Sequence, residues 1–390
     1  MAIRVAPGSA ITVKSFAGRT GGAEHYITVE PSDDGDFASQ LESVARQYAE
    51  AVRARGLSPD SAIFRRILVS DVLNQAEAVN ASPLVKDPAA GPVAVSLVQQ
   101  PPLPGHKIAL LAYHLDGDVS IAKSLLSPQH MVVRKAGIQH LWSTGLRGGG
   151  TDPGVSGFNE TSIVFRQLIE TLAEQGGTLA ADCIRTWLYV KGVDVFYQDV
   201  VDSRIGIFER HGLTRDTHYI ASTAIEGAGG GRYEVVTMDA YSVLGLSPEQ
   251  ISYLNDFDLL CATHDYNVTF ERGTRVGYAD RAHHFISGTA SIDHVGDVVH
   301  RGDVLRQLGR ALENVEGLLR SGGATLADMM HLTVYLRDWT DYGRVRDCLH
   351  ERCGGLPTLV VQAPVCRPDW LVEIEGIAVA ASDAPSLPRF

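Results

Sequence analysis

Apolar and polar positions recur in the same order at three places along the chain. Residues 24–29, 139–144 and 283–288 share a histidine followed by aromatic or apolar residues, and each reads as a strand. A helical stretch containing Gln-Leu follows each one, at Gln40-Leu41, Gln167-Leu168 and Gln307-Leu308. These helices run to glycine stops near Gly56, Gly177 and Gly323, where a left-handed C-terminal residue is expected. A second strand follows each stop, over 64–69, 184–190 and 330–336. Another helical stretch and a closing pair of strands complete each copy: 93–98 with 107–113, 218–225 with 233–243, and 358–362 with 371–379. The pattern predicts an α/β (α+β) protein made of three copies of β-β-α-β-α-β-β.

Regularity lapses at 116–130 and 246–265, which are expected to join units spanning 1–125, 126–250 and 251–390. The residues beyond Ser382 carry Pro and Ser and read as a loose tail. The glycine runs 148–150 and 229–231 lack the strand-Gly-helix setting of a dinucleotide site, so surface loops are expected there. The acidic run 32–36 reads as a turn, because a calcium loop needs regularly spaced acids and a closing glutamate.

In the final strand, alternation sends Val372 and Ile374 to one face and Glu373 and Glu375 to the other. Two carboxyl groups on one face, just after Cys366 and Arg367, form a candidate acid/base site. Arg185 stands in an otherwise apolar strand, where an unpaired charge would be costly, so it needs either an anionic partner or a route to water.

Composition narrows the partners. A net charge of −12 disfavours nucleic acid and anionic membrane, because both need a basic face, while a local arginine pocket can still take a small anion. No apolar run reaches the length of a membrane span, and the N-terminus lacks a charged-then-hydrophobic leader, so a cytoplasmic protein is expected. The five cysteines include no CxxC pair and are odd in number, which points to reduced thiols rather than disulfides or zinc ligands.

The third unit resembles the Rid (YjgF-like) superfamily through Phe285-Ile286-Ser287-Gly288-Thr289-Ala290, Gly302-Asp303-Val304, Gly323-Ala324-Thr325, Val334-Tyr335-Leu336-Arg337-Asp338 and Val372-Glu373-Ile374-Glu375. Members of that family are small subunits that form trimers with sites in the clefts between neighbours. Three Rid-like (chorismate-mutase-like) units in one chain therefore imply an intramolecular pseudo-trimer. Imine-deaminating members hold substrate with an arginine on the penultimate strand, a place taken here by His218 in the second unit and by Pro357 or Thr358 in the third.

Over roughly its last two-thirds the chain also resembles the chorismatases. The similar segments are Ser287-Gly288-Thr289-Ala290 with His300, Ile184-Arg185-Thr186-Trp187, Ser222-Thr223-Ala224-Ile225-Glu226-Gly227, and Cys366-Arg367 with Glu373. The resemblance implies chorismate hydrolysis with release of pyruvate and a hydroxybenzoate or dihydroxycyclohexadiene carboxylate. It implies Glu373 as general acid, Cys366 as a product-determining thiol, and Arg185, Arg204, Arg272 and Arg367 as carboxylate holders. Thr223, Ser287 and His300 would bind substrate oxygens or orient water. Residues 263–272 depart from the family pattern in a segment that lines its pocket, which bears on substrate identity.

No metal or organic cofactor is implied, and the assembly expected is a monomeric pseudo-trimer or a weak homo-oligomer. Two other functions fit the same fold: a Rid-type hydrolase or deaminase acting on another secondary-metabolite intermediate, and a non-catalytic ligand-binding protein.

Overall fold

A computed structural model describes residues 11–20, 22–32, 34–117, 121–149, 156–263 and 268–390. Asp33, residues 118–120, Gly150 and residues 264–267, which belong to segments singled out in the sequence, lie outside the described residues.

The first sheet holds β1 (Ile11–Ala17), β2 (Ala23–Val29), β3 (Ala62–Val69), β4 (Ala94–Gln99) and β5 (Ile108–Asp116), with helices α1 (Phe37–Ala54) and α2 (Val72–Ala81). The second holds β6 (Ala122–Ser127), β7 (His130–Lys135), β8 (Ile138–Arg147), β9 (Cys183–Val190), β10 (Ala221–Glu226) and β11 (Val236–Leu244), with α3 (Gly157–Glu174), the short α4 (Leu179–Asp182) and α5 (Val193–Arg210). The third holds β12 (Ile251–Tyr253), β13 (Gly273–Gly277), β14 (Arg281–Ala290), β15 (Met329–Leu336), β16 (Thr358–Gln362) and β17 (Val372–Ala381), with α6 (Val304–Ser321) and α7 (Tyr342–Cys353).

Each sheet has the same inner order, β2-β5-β3-β4, β8-β11-β9-β10 and β14-β17-β15-β16, and in each only the last pair is parallel. The repeat extends to a defect. Pairing slips by one residue at Ile63, Ile184 and Met330, near the start of the corresponding strand in each unit. A bulge bends its strand, so the same bend recurs in all three sheets.

The strands β3, β9 and β15 are buried along their whole length, because helices cover one face and the other sheets cover the second. Residues from all three units meet in one apolar cluster that includes Tyr26, Phe64, Trp142, Tyr241 and Phe285. The recurring glutamines have a use at two of the three positions. Gln40 accepts from the Lys107 backbone N–H at 2.7 Å and Gln307 from that of Leu371 at 2.8 Å, each just ahead of a unit's last strand. Gln167 instead donates to the Arg147 carbonyl.

Two expectations need correction. The segments 116–130 and 246–265 are not plain connectors, since they contain β6 and β12. These edge strands are short and half-exposed, so they carry little of the apolar alternation that marks a strand. Nor is the chain beyond Ser382 loose. Ala384 donates to the Ala279 carbonyl, Ala279 to that of Pro388, and the Phe390 ring is 2% exposed, beside His283 and Tyr278.

Candidate active site

Residues from three strands, one helix and two loops converge where the second sheet meets the third. A cleft of about 490 Å³, measured out to its open mouth, lies there. Tyr197 and Arg204 reach it from α5, and Ser222 and Thr223 from β10. The third unit contributes Phe270 and Arg272 from the approach to β13, Gly288 from β14, the loop bearing Cys366, Arg367 and Trp370, and Glu373 from β17.

The two carboxyl groups of β17 share a face but differ in surroundings. Glu375 is fully paired: it accepts from Arg185 Nη2 at 2.7 Å and Trp187 Nε1 at 2.9 Å, lies 3.5 Å from Arg66 Nη1, and accepts the Thr223 hydroxyl. Glu373 lines the cleft at 5% exposure and has no ion pair among the described residues. Burial, reinforced by the Glu375 charge, pushes its carboxyl up to about 8, against the opposing pull of Arg185 and Arg272. Glu373 therefore holds its proton at neutral pH.

Glycine at 288 is a steric requirement of this arrangement. A Cβ there would come within 2.2 Å of Glu373 Oε1. The pairing of β14 with β17 is irregular between Ile286 and Thr289, so the backbone at Gly288 leaves the regular ladder beside the acid.

The arginines divide into two groups. Arg204 donates from Nε to Thr269 Oγ1 at 3.1 Å and from Nη1 to Ser222 Oγ at 3.4 Å. Arg272 donates to the Cys261 carbonyl at 3.2 Å, and Arg367 lies over the Trp370 ring. These three guanidinium groups line the cleft. Arg185 does not; it is spent on Glu375, the Thr223 hydroxyl and the Thr186 carbonyl. The cost of an unpaired charge in an apolar strand is met by an acid from another unit, a pairing that local sequence cannot reveal.

Three further expected substrate contacts sit elsewhere or are already engaged. The Thr223 hydroxyl donates to Glu375 and accepts from the Gly288 backbone N–H at 2.8 Å, so it braces the cleft wall. Ser287 does not line the cleft: its hydroxyl donates to the Glu271 carbonyl and accepts from the Ser222 backbone N–H, tying the two units together. His300 also lies off the cleft, in a half-exposed loop at φ +59°, where its carbonyl accepts from Asp303 and Gln307. Cys366 does line the cleft, and burial together with the Glu373 charge pushes its thiol up to about 12. It is a thiol, not a thiolate, at neutral pH.

Sequence reading placed Phe270 in a pocket-lining segment but missed Tyr197 and Trp370, which complete an aromatic wall with it, although Trp370 lies close to Arg367, already singled out. It also missed Arg66, which reads as half of an Arg-Arg pair yet is buried on the axis where the three units meet, its guanidinium 4.6 Å from the Trp187 ring. Among the described residues no group of His, Cys, Asp and Glu is arranged to hold a metal ion, and no helix is long and apolar enough to cross a membrane.

Residues 276–380 match the family model described as endoribonuclease L-PSP. A chorismatase from Streptomyces rapamycinicus is 32% identical over 242 residues, which cover 56% of this chain and 69% of that protein. The 3-aminoacrylate deaminase RutC of Acinetobacter baylyi is 32% identical over 99 residues, covering 24% of this chain and 76% of the deaminase. A crystal structure of a chorismatase superimposes over 92% of this chain and 99% of its own, with a TM-score of 0.63 at 20% identity, so the two share the arrangement of three units.

Proposed function

Since the chain belongs to the Rid (YjgF-like) superfamily and is chorismatase-like in sequence and fold, we propose that it hydrolyses the enolpyruvyl ether of chorismate or a closely related dicarboxylate. The observation that carries this reading is a buried, proton-holding Glu373 facing a cleft lined by three guanidinium groups.

Glu373 protonates the terminal methylene carbon of the enol ether, turning the C=CH₂ group into an oxocarbenium ion bearing a methyl group. Water adds to the cationic carbon and returns a proton to the Glu373 carboxylate. The hemiketal then collapses: the bond between its central carbon and the ring oxygen breaks as the hydroxyl proton is passed to that oxygen, giving pyruvate and the ring alcohol, with one water consumed per ether cleaved. A carboxyl group that titrates near 8 suits this step, because an ordinary glutamate would be ionised at neutral pH. Arg204, Arg272 and Arg367 hold the substrate carboxylates, with planar donors suited to bidentate contact. The aromatic side chains of Tyr197, Phe270 and Trp370 exclude water from the ring, and Cys366 stands beside the acid as a neutral thiol that can influence the fate of the diene.

The test is incubation of the purified protein with chorismate and coupled detection of pyruvate. Turnover is expected, and Glu373→Gln is expected to lower kcat by about 10²- to 10⁴-fold, the usual contribution of a general acid. Activity should hold below pH 8 and decline above it as Glu373 ionises. Pyruvate release no faster than in Glu373→Gln overturns the reading, and thermal stabilisation by chorismate without turnover favours a ligand-binding protein instead.

A further inference from the structure

The second carboxylate of β17 is not needed as an acid, yet four side chains, Arg66, Arg185, Trp187 and Thr223, are bonded to it. Arg66 comes from β3 of the first unit, which supplies none of the described cleft-lining side chains. Its guanidinium bridges Glu375 at 3.5 Å and Asp239 of the second unit at 3.3 Å. Arg185 approaches Glu375 from the other side at 2.7 Å. Two cations and two anions, all buried and drawn from three units, thus close a compact charge cluster one alternation step from Glu373.

We propose that Glu375 is a positioning residue for Glu373: ion-paired with Arg66 and Arg185, it holds the proton on Glu373 and makes the first unit a determinant of the pH range over which the acid works. This rests on the reading of Glu373 as general acid.

The geometry carries the assignment. Glu373 and Glu375 lie on one face of one strand, and Thr223 donates to Glu375 while accepting from the Gly288 backbone N–H, which runs beside Glu373. Around Glu373 the other ionisable groups are Arg185 from β9, Arg204 and Tyr197 from α5, Arg272 ahead of β13, and Cys366 and Arg367 from the loop before β17. Tyr335, paired with Glu373 across β15, and Tyr189 of β9 stay neutral through burial. Glu375 is thus an anion set against the pull of Arg185 and Arg272, and removing it shifts the balance toward ionised Glu373.

The experiment follows the Glu373 carboxyl directly, by ¹³C-carboxyl NMR of glutamate-labelled protein with Glu373→Gln as the assignment control, alongside the pH profile of kcat/KM with chorismate. Glu375→Gln should lower the Glu373 midpoint by at least one pH unit, which is a tenfold loss of the protonated form above that midpoint. Arg66→Met should move it the opposite way, since the anion beside Glu373 loses a counter-ion, and Glu375→Asp should restore the native value. Folding of each variant is checked by near-UV circular dichroism. If Glu375→Gln does not fold, an upward shift in Arg66→Met with a native midpoint in Glu375→Asp supports the proposal, and a downward or absent shift in Arg66→Met overturns it. A midpoint that stays put in folded Glu375→Gln or Arg66→Met, or moves the same way in both, overturns the proposal. The NMR titration reads this result whether or not chorismate is turned over, so failure of the substrate assignment remains distinguishable from failure of the electrostatic one.

Discussion

The junction between the second and third sheets and the junction between the first and second are built on the same positions, yet only one of them has the acid. At the former, Thr223 of β10 donates to Glu375 of β17; at the latter, Ser96 of β4 donates to Asp239 of β11 at 2.5 Å. The registers make these residues equivalent. Thr223 pairs with Trp187 and Ser96 with Arg66, while Trp187 pairs with Asp239 as Thr333 does with Glu375. Two residues earlier on the last strand stands Glu373 in one unit and Thr237 in the other. The hydroxyl-to-carboxylate tie therefore belongs to the joining of units, and Glu373 is the addition that distinguishes one junction chemically. At the remaining junction the same registers put Leu359 and Leu111 at the equivalent positions, so the tie itself is absent there.

The sharpest way to break this contrast is to displace the acid with a single methyl group, which also comes within 3.1 Å of the Thr223 methyl. Gly288→Ala sets a methyl against Glu373 Oε1, the far end of a side chain that can swing away. Pyruvate release should fall by about 10²-fold or more, the cost of a displacement near 1 Å at a reacting group. The Tm measured by scanning calorimetry should change little.

The converse substitutions strip the ties. Thr223→Val leaves a backbone N–H, an arginine and a carboxylate short of one partner each, and should cost about 2 kcal/mol in urea unfolding. Ser96→Ala removes one donor from Asp239, which keeps Arg66 and the Gly145 backbone N–H, and should cost about 1 kcal/mol. Equal costs would mean that the two junctions are held alike.

The last expected effect depends on pH. The Glu373 carboxyl titrates higher when folded than its usual value of 4.5, so the folded chain binds the extra proton and stability falls as pH rises from there toward about 8. The amide introduced by Glu373→Gln does not titrate, so the Tm advantage of that variant over the native protein should widen from pH 5 to pH 8 and then level off.

Much of this was legible in the sequence because it is local. The Gln-Leu helices, the glycine stops and the alternation at 371–379 report single elements, and the repetition of their order reports the three units. The destination of Arg185 was not local. Its strand predicts burial, but its partner Glu375 lies 190 residues away, brought there by packing of one sheet on another. Arg66 was invisible for the same reason, since its two acids belong to the other two units. The edge strands β6 and β12 escaped notice because half-exposed strands need little apolar periodicity. Ser287 and His300 lie in segments whose resemblance to a family is real, but one joins backbone segments and the other lies off the cleft.

At the axis, register puts Arg66, Trp187 and Thr333 at one equivalent place, so a cation, an indole and a hydroxyl share a position that identical subunits would have to fill with a single residue type. Three arginines meeting head-on would repel, and three threonines would leave the interior acids without counter-charges. Covalent linkage of the copies lifts that constraint: a substitution in one copy alters one seam instead of all three at once, and the centre of the molecule can evolve as a mixture.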